Sequence, residues 1–154
     1  CNEVTRFIKS AGVDINEAGS DATQILVMNQ HVANIFFNDN MITDRTALDC
    51  YCYTRYLYEH NRVKKQTLDS ITAMYKRLIT SYDIVFFIRP EFDIEDDGVR
   101  SISKEFRDRV NDIFEQTIRQ DKLQVIPISG SVVQRVKQVL DNFIIIEKQK
   151  RLYY

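Results

Sequence analysis

The stretch YDIVFFIRP, residues 82–90, is an unbroken run of β-branched and aromatic side chains closed by a proline. A strand with one wet face alternates apolar and polar residues. This run does not, so it predicts a strand covered on both faces, as in a parallel sheet. LQVIPI at 123–128 reads as another strand, and Met41–Thr43 as a short one. Around these runs the spacing turns helical. Leu68, Ile71, Thr72, Tyr75, Leu78 and Ile79 mark a helix ending near Ser81, and Phe106, Val110, Ile113, Phe114, Thr117 and Ile118 mark a further one. Strands alternating with helices over short connections predict an α/β fold with a mainly parallel sheet and right-handed crossovers.

The flanking helices are read from their caps. Val4, Phe7, Ile8 and Ala11 give a short helix, with Gly12 suited to the left-handed position that closes it. Asp21 with Gln24 reads as a capping box for a helix over about 21–37, whose apolar stripe is Ile25, Met28, Val32, Ile35 and Phe36. Thr46 with Asp49 opens another, with Ala47, Cys50, Tyr51, Leu57 and Tyr58 on one face. Ser131 with Gln134 opens the last.

Composition narrows the function classes. The chain has 154 residues, Lys+Arg 21 against Asp+Glu 22, and a net charge of -1, so no overall field points to nucleic acid or an anionic membrane surface. Its apolar runs are too short to span a bilayer, and a cytoplasmic protein is expected. The 3 cysteines, two of them as Cys50-x-Cys52, fit neither a disulfide framework nor zinc spacing, and read as reduced thiols on a helix. Histidine occurs only as His31 and His60, which supplies metal sites and nucleophile activation poorly.

In parallel sheets, ligands lie beyond the carboxyl ends of the strands. Asp44 and Arg45 follow the first strand, Arg89 the second, and Ser129 and Gly130 the third. An acid beside an arginine there suits phosphoryl transfer: the acid holds magnesium or accepts a hydroxyl proton, and the arginine binds an anionic group. A surface ion pair or a helix-capping acid leaves the same dipeptide. Asp97-Gly98-Val99-Arg100 could bring Arg100 onto a transferring phosphoryl group from a mobile loop, or could be the solvated start of a helix. Ser129-Gly130-Ser131 with Arg135 one turn on suits a phosphate or a stacked base, and is equally ordinary turn chemistry. Glu3 and Arg6 lie one helical turn apart and would face the same way.

Taken in order, EVTR at 3–6, TDR at 43–45, DGVR at 97–100 with SISKEF, and the last strand leading into SGS resemble the P-loop nucleoside and nucleotide kinases. The likeness is to the nicotinamide riboside kinase domain of bifunctional NMN adenylyltransferase/ribosylnicotinamide kinase proteins and to related AAA-type phage kinases. It covers most of residues 1–141, leaving 142–154 as a terminal strand or tail. It implies a three-layer P-loop NTPase-like fold, ATP and Mg2+ as cofactors, and a small nucleoside or nucleotide acceptor. It implies further that Glu3 and Arg6 lie near the acceptor, Asp44 serves magnesium or the acceptor hydroxyl, Arg45 contacts substrate, and Arg100 is the lid arginine. Ser129 and Gly130 would border adenine, with Arg135 beside them. The family's Gly-x4-Gly-Lys-Ser/Thr loop does not occur in the sequence, whose glycines are 12, 19, 98 and 130. The expectation is that this loop and its strand precede Cys1. A nucleotide-driven switch and a non-catalytic interaction module, contacting partners through its tyrosines and tail, are the competing readings.

Overall fold

A computed structural model describes residues 4–92 and 101–152, with side chains as far as 145 in the final helix. The element order is α1 (Val4–Ser10), α2 (Asp21–Phe37), α3 (Ala47–Glu59), α4 (Lys65–Leu78), β1 (Phe86–Ile88), α5 (Lys104–Gln120), β2 (Ile126–Ile128) and α6 (Val132–Leu152). These fall into two compact units. The first holds Cys1–Asp83 with Ile94–Leu123, and the second Ile84–Asp93 with Gln124–Tyr154. No helix among the described residues is long and apolar enough to cross a membrane.

The first unit is helical, and α3 is its centre. It packs against α2, α4 and α5. Ala47, Leu48, Cys50, Cys52, Tyr56 and Leu57 of α3 meet Met28 of α2, Ile71, Tyr75 and Leu78 of α4, and Phe106, Val110 and Ile113 of α5 in one apolar core. A helix buried on so many sides needs its few polar groups satisfied internally. Tyr75 stacks on Tyr51 with centroids 4.7 Å apart. Its hydroxyl donates to Asp121 at 2.8 Å, so the ring fills the core without stranding its oxygen. Both thiols are buried and free, and burial pushes Cys50 up to about 12 and Cys52 higher still, which makes them inert packing residues as the spacing implied. A smaller cluster of Val4, Ile8 and Ile15 fastens α1 to α2. Gly12 closes α1 at φ 81, the conformation expected of it, whereas Phe7 points outward.

Two caps stand as read and one moves. Thr46 with Asp49, and Ser131 with Gln134, form reciprocal side-chain to backbone bonds at the starts of α3 and α6. For α2 the cap is Ser20 with Thr23, one residue before the expected pair. The stripe stands in part: Met28 is buried and Val32 and Ile35 pack against the core, while Ile25 and Phe36 are exposed and Thr23, Gln24 and His31 also turn inward. Gln24 is therefore an interior residue of α2 rather than its capping partner.

The second unit holds a two-stranded parallel sheet, with Phe86 opposite Ile126, Phe87 opposite Pro127 and Ile88 opposite Ile128. Strand direction agrees with the reading of 82–90, but length and burial do not. Only Phe86–Ile88 forms strand, and it is half-buried to exposed rather than covered on both faces. Met41–Thr43 is irregular backbone with Ile42 89% exposed. A short apolar run signals a demand for burial and not the partner that supplies it, and no described strand pairs with this one. The described chain is thus a mostly helical α/β structure, and residues 142–152 continue α6 as helix instead of forming a strand.

The core assignment makes a stability prediction. Ile113→Ala, at a fully buried position, should lower unfolding free energy by about 2–5 kcal/mol. Ile42→Ala should change it by less than about 0.5 kcal/mol. Urea denaturation of the two variants measures both.

Candidate functional site

The site forms where α2 and α3 meet in the first unit. Thr46 caps α3 from extended backbone, φ -135 and ψ 177, and the turn before it falls on Arg45, whose φ is 72. A bulky L-residue in the left-handed region costs on the order of 1–2 kcal/mol, and such strain collects at functional positions. The Thr43 hydroxyl donates to the Arg45 carbonyl at 3.1 Å and holds the turn. The Arg45 guanidinium lies over the Tyr53 ring, 5.3 Å from its centroid, a cation–π contact between the turn and the helix it precedes.

Arg45, Asp49 and Tyr53, Gln24 and His31 of α2, and Thr5 of α1 line a small cleft of about 30 Å3. The polar groups of α2 are inside because α3 holds one of them there. Thr54, wholly buried, shares its hydroxyl proton between the Cys50 carbonyl at 2.7 Å and Gln24 Oε1 at 2.9 Å. His31 is 2% exposed. Burial pushes its pKa down, the Asp49 carboxylate opposes that, and the Arg45 guanidinium reinforces it. The imidazole is therefore neutral at pH 7. Asp49 is itself fixed, since its Oδ2 accepts from the Thr46 N–H at 2.8 Å and from the Thr46 hydroxyl at 3.0 Å.

The residues singled out in the sequence are distributed as follows. Asp44 is exposed, next to Arg45, with no hydrogen bond or ion pair among the described residues. Arg6 is exposed on α1, next in sequence to Thr5. Glu3 and Arg100 lie outside the described residues. Ser129, Gly130 and Arg135 belong to the second unit, where side chains already engage their polar groups. The Ser129 N–H donates to Gln138 Oε1 at 3.2 Å, the Gly130 N–H to Glu91 Oε2 at 2.8 Å, and the Ser131 N–H to Gln134 Oε1 at 2.8 Å. Arg135 donates to the same Glu91 oxygen at 3.0 Å and stacks over Phe92 at 5.0 Å. The Gly130 N–H first, and Arg135 after it, hold the Glu91 carboxyl below the usual range. Gly130 and Arg135 thus meet on the Glu91 carboxylate, while Ser129 is held by Gln138.

Gln24, His31, Asp49 and Tyr53 were not singled out from the sequence as site residues. The available signal was polar residues at 24 and 31 flanking Met28, positions that share a face at i, i+4 and i+7. Following apolar residues alone finds the Met28, Val32 and Ile35 side of this helix but passes over the polar residues that share it.

A family model described as an AAA domain matches residues 15–135. That is well over half of the chain, and the chain belongs to this family of AAA-type P-loop NTPase domains. Such domains are nucleotide-binding and of ATPase type, and generally bind ATP with Mg2+. No curated protein and no solved structure matches the chain.

Two outcomes test the site's geometry. Arg45→Gly relieves the left-handed strain and should leave thermal stability unchanged or raised, by up to roughly 1 kcal/mol after loss of the Tyr53 contact is offset. Arg45→Ala, which keeps the strain and loses the contact, should lie below it in calorimetry. His31 also sets a pH dependence. With its native pKa below 6.5, the unfolded chain takes up a proton between those two values while the native chain does not. Stability must then fall as pH drops from 7 through that window, and His31→Asn should remove this part of the slope in Tm measured against pH.

Proposed function

We propose that this AAA domain serves an ATP-dependent phosphotransferase whose acceptor is a small nucleoside or nucleotide. The observation that carries the reading is the pairing of a strained Arg45 on the cleft wall with the uncommitted Asp44 carboxylate beside it. Strain is retained at a turn where it orients a group, and the group here is a guanidinium, which binds phosphate oxygens in a planar two-point contact.

Asp44 fits two roles that need an exposed carboxylate, and it has no structural partner among the described residues. It can accept the proton of an attacking hydroxyl, contributing roughly 10²–10⁴ in rate. It can also take part in Mg2+ binding, because Mg2+ keeps several waters and needs only one or two carboxylates besides phosphate oxygens. Bound Mg2+ would supply neutralisation of phosphate charge. The chain's own contribution in this reading is to place the acceptor at the α3 turn: Arg45 holds its anionic or hydroxylated end, and Asp44 lies next to that end. Arg100 as a lid arginine draws support from Ser101, the next residue in sequence, whose hydroxyl donates to Glu17, itself next to the cleft-lining Asn16. Arg6 borders the same opening in this reading, because the neighbouring Thr5 lines the cleft, and the role of Glu3 rests on the resemblance alone. Ser129, Gly130 and Arg135 would receive adenine after Glu91 releases the Gly130 N–H.

Asp44→Asn in the whole natural protein should reduce ATP-dependent phosphorylation of its acceptor at least about a hundredfold, while Tm stays close to wild type because an exposed side chain has been changed isosterically. Normal turnover in that variant refutes the assignment. ATP consumption that does not rise on adding nucleosides or nucleotides points to the nucleotide-driven switch instead.

A further inference from the structure

The start of α3 takes one of its hydrogen bonds from far along the chain. A helix leaves its first N–H groups without intrahelical acceptors. Around this cap three N–H groups are met locally: that of Thr46 donates to Asp49 Oδ2 at 2.8 Å, that of Leu48 to Thr46 Oγ1 at 3.2 Å, and that of Asp49 to the Thr46 carbonyl at 3.0 Å. The Ala47 N–H is met otherwise. It donates to the hydroxyl oxygen of Tyr82 at 3.2 Å, 35 residues away. Ala47 is fully buried, so an N–H left unmet there would cost stability. Tyr82 is half-buried and packs against the core that α3 centres. Burial raises its phenol pKa, so the hydroxyl stays neutral at pH 7.

Only Thr46 separates Ala47 from Arg45. A left-handed residue other than glycine persists where its surroundings over-determine it, and Arg45, at φ 72, is held from both sides. The Thr43 hydroxyl grips its carbonyl, and Tyr82 fixes the helix start that follows. The Thr43 bond and the capping box are local to the turn, whereas the Tyr82 bond ties it to another part of the fold. We infer that Tyr82 is a positioning residue: its hydroxyl holds the first N–H of α3 and, through it, the turn that aims the Arg45 guanidinium. Helix starts commonly bind anions through free N–H groups. Here the N–H groups of residues 46–49 each have an acceptor already, so an anion at this turn depends on Arg45. A displaced guanidinium is not replaced by backbone donors.

This inference rests on the phosphotransferase reading only for what Arg45 binds, so its test has two arms. The first is a crystal structure of Tyr82→Phe, which removes the oxygen and keeps the packed ring. Arg45 should leave the left-handed region and its guanidinium should leave the Tyr53 ring. An unchanged Arg45 overturns the inference, and so does a variant that fails to fold although the ring is kept, because the hydroxyl is then a folding group. The second arm follows ATP-dependent phosphorylation of cytidine, uridine, inosine and nicotinamide riboside by the whole natural protein. For an acceptor that is phosphorylated, Tyr82→Phe should lower kcat/KM about tenfold with KM for ATP unchanged. In an Arg45→Ala background it should lower kcat/KM no further, since residues that act as a unit are not additive. The same tenfold loss in both backgrounds marks a general loosening of the fold and overturns the inference. If the wild type phosphorylates none of the four, the phosphotransferase reading fails while the crystal structure still judges Tyr82.

Discussion

The first unit depends on one buried hydroxyl. Thr54 stands at the centre of α3 with no solvent exposure, between a carbonyl of its own helix and the Gln24 side chain of α2. A carboxamide can be carried into an interior only if it is met there. The Thr54 bond meets half of it, on the face of α2 that Met28, Val32 and Ile35 also turn toward the core. Gln24 and His31 follow onto the cleft wall, and Ile25 and Phe36 go to the surface.

The second constraint is where α3 begins. Its capping box ties Thr46 to Asp49, and the chain can reach that geometry from the irregular 41–43 segment only through a sharp turn. Arg45 is the residue at the turn. Its left-handed backbone and its contact with Tyr53 are two parts of one arrangement: the strain aims the side chain, and the ring receives it. Asp49 serves both the cap and the electrostatics of the cleft, because the carboxylate that anchors Thr46 also acts on His31. Helix initiation and site construction therefore share residues.

The second unit shows the same economy in a smaller space. Three consecutive N–H groups at 129–131 each meet a side-chain oxygen, and Glu91 serves both the Gly130 N–H and Arg135. Satisfied in this way, the loop is ordered by its own side chains. Any nucleotide contact there has to exchange for Glu91, a competition between two anions for one set of donors.

The sequence by itself determined what depends on neighbours in the chain. The helices of the first unit, the capping boxes at Thr46 and Ser131, the left-handed Gly12 and the parallel sense of the two strands all follow from spacing and turn chemistry. The TDR and SGS motifs led to the same class as the AAA match. Only the tertiary structure decided the rest. How long a strand grows is settled by what lies beside it, which is why YDIVFFIRP yields only Phe86–Ile88 and Met41–Thr43 yields no strand. That Gln24 could join Met28 inside depended on Thr54, a residue 30 positions away in sequence. Periodicity registers how apolar a face is, whereas a polar residue becomes interior through a partner that only folding brings into reach, and the cleft is made of such residues.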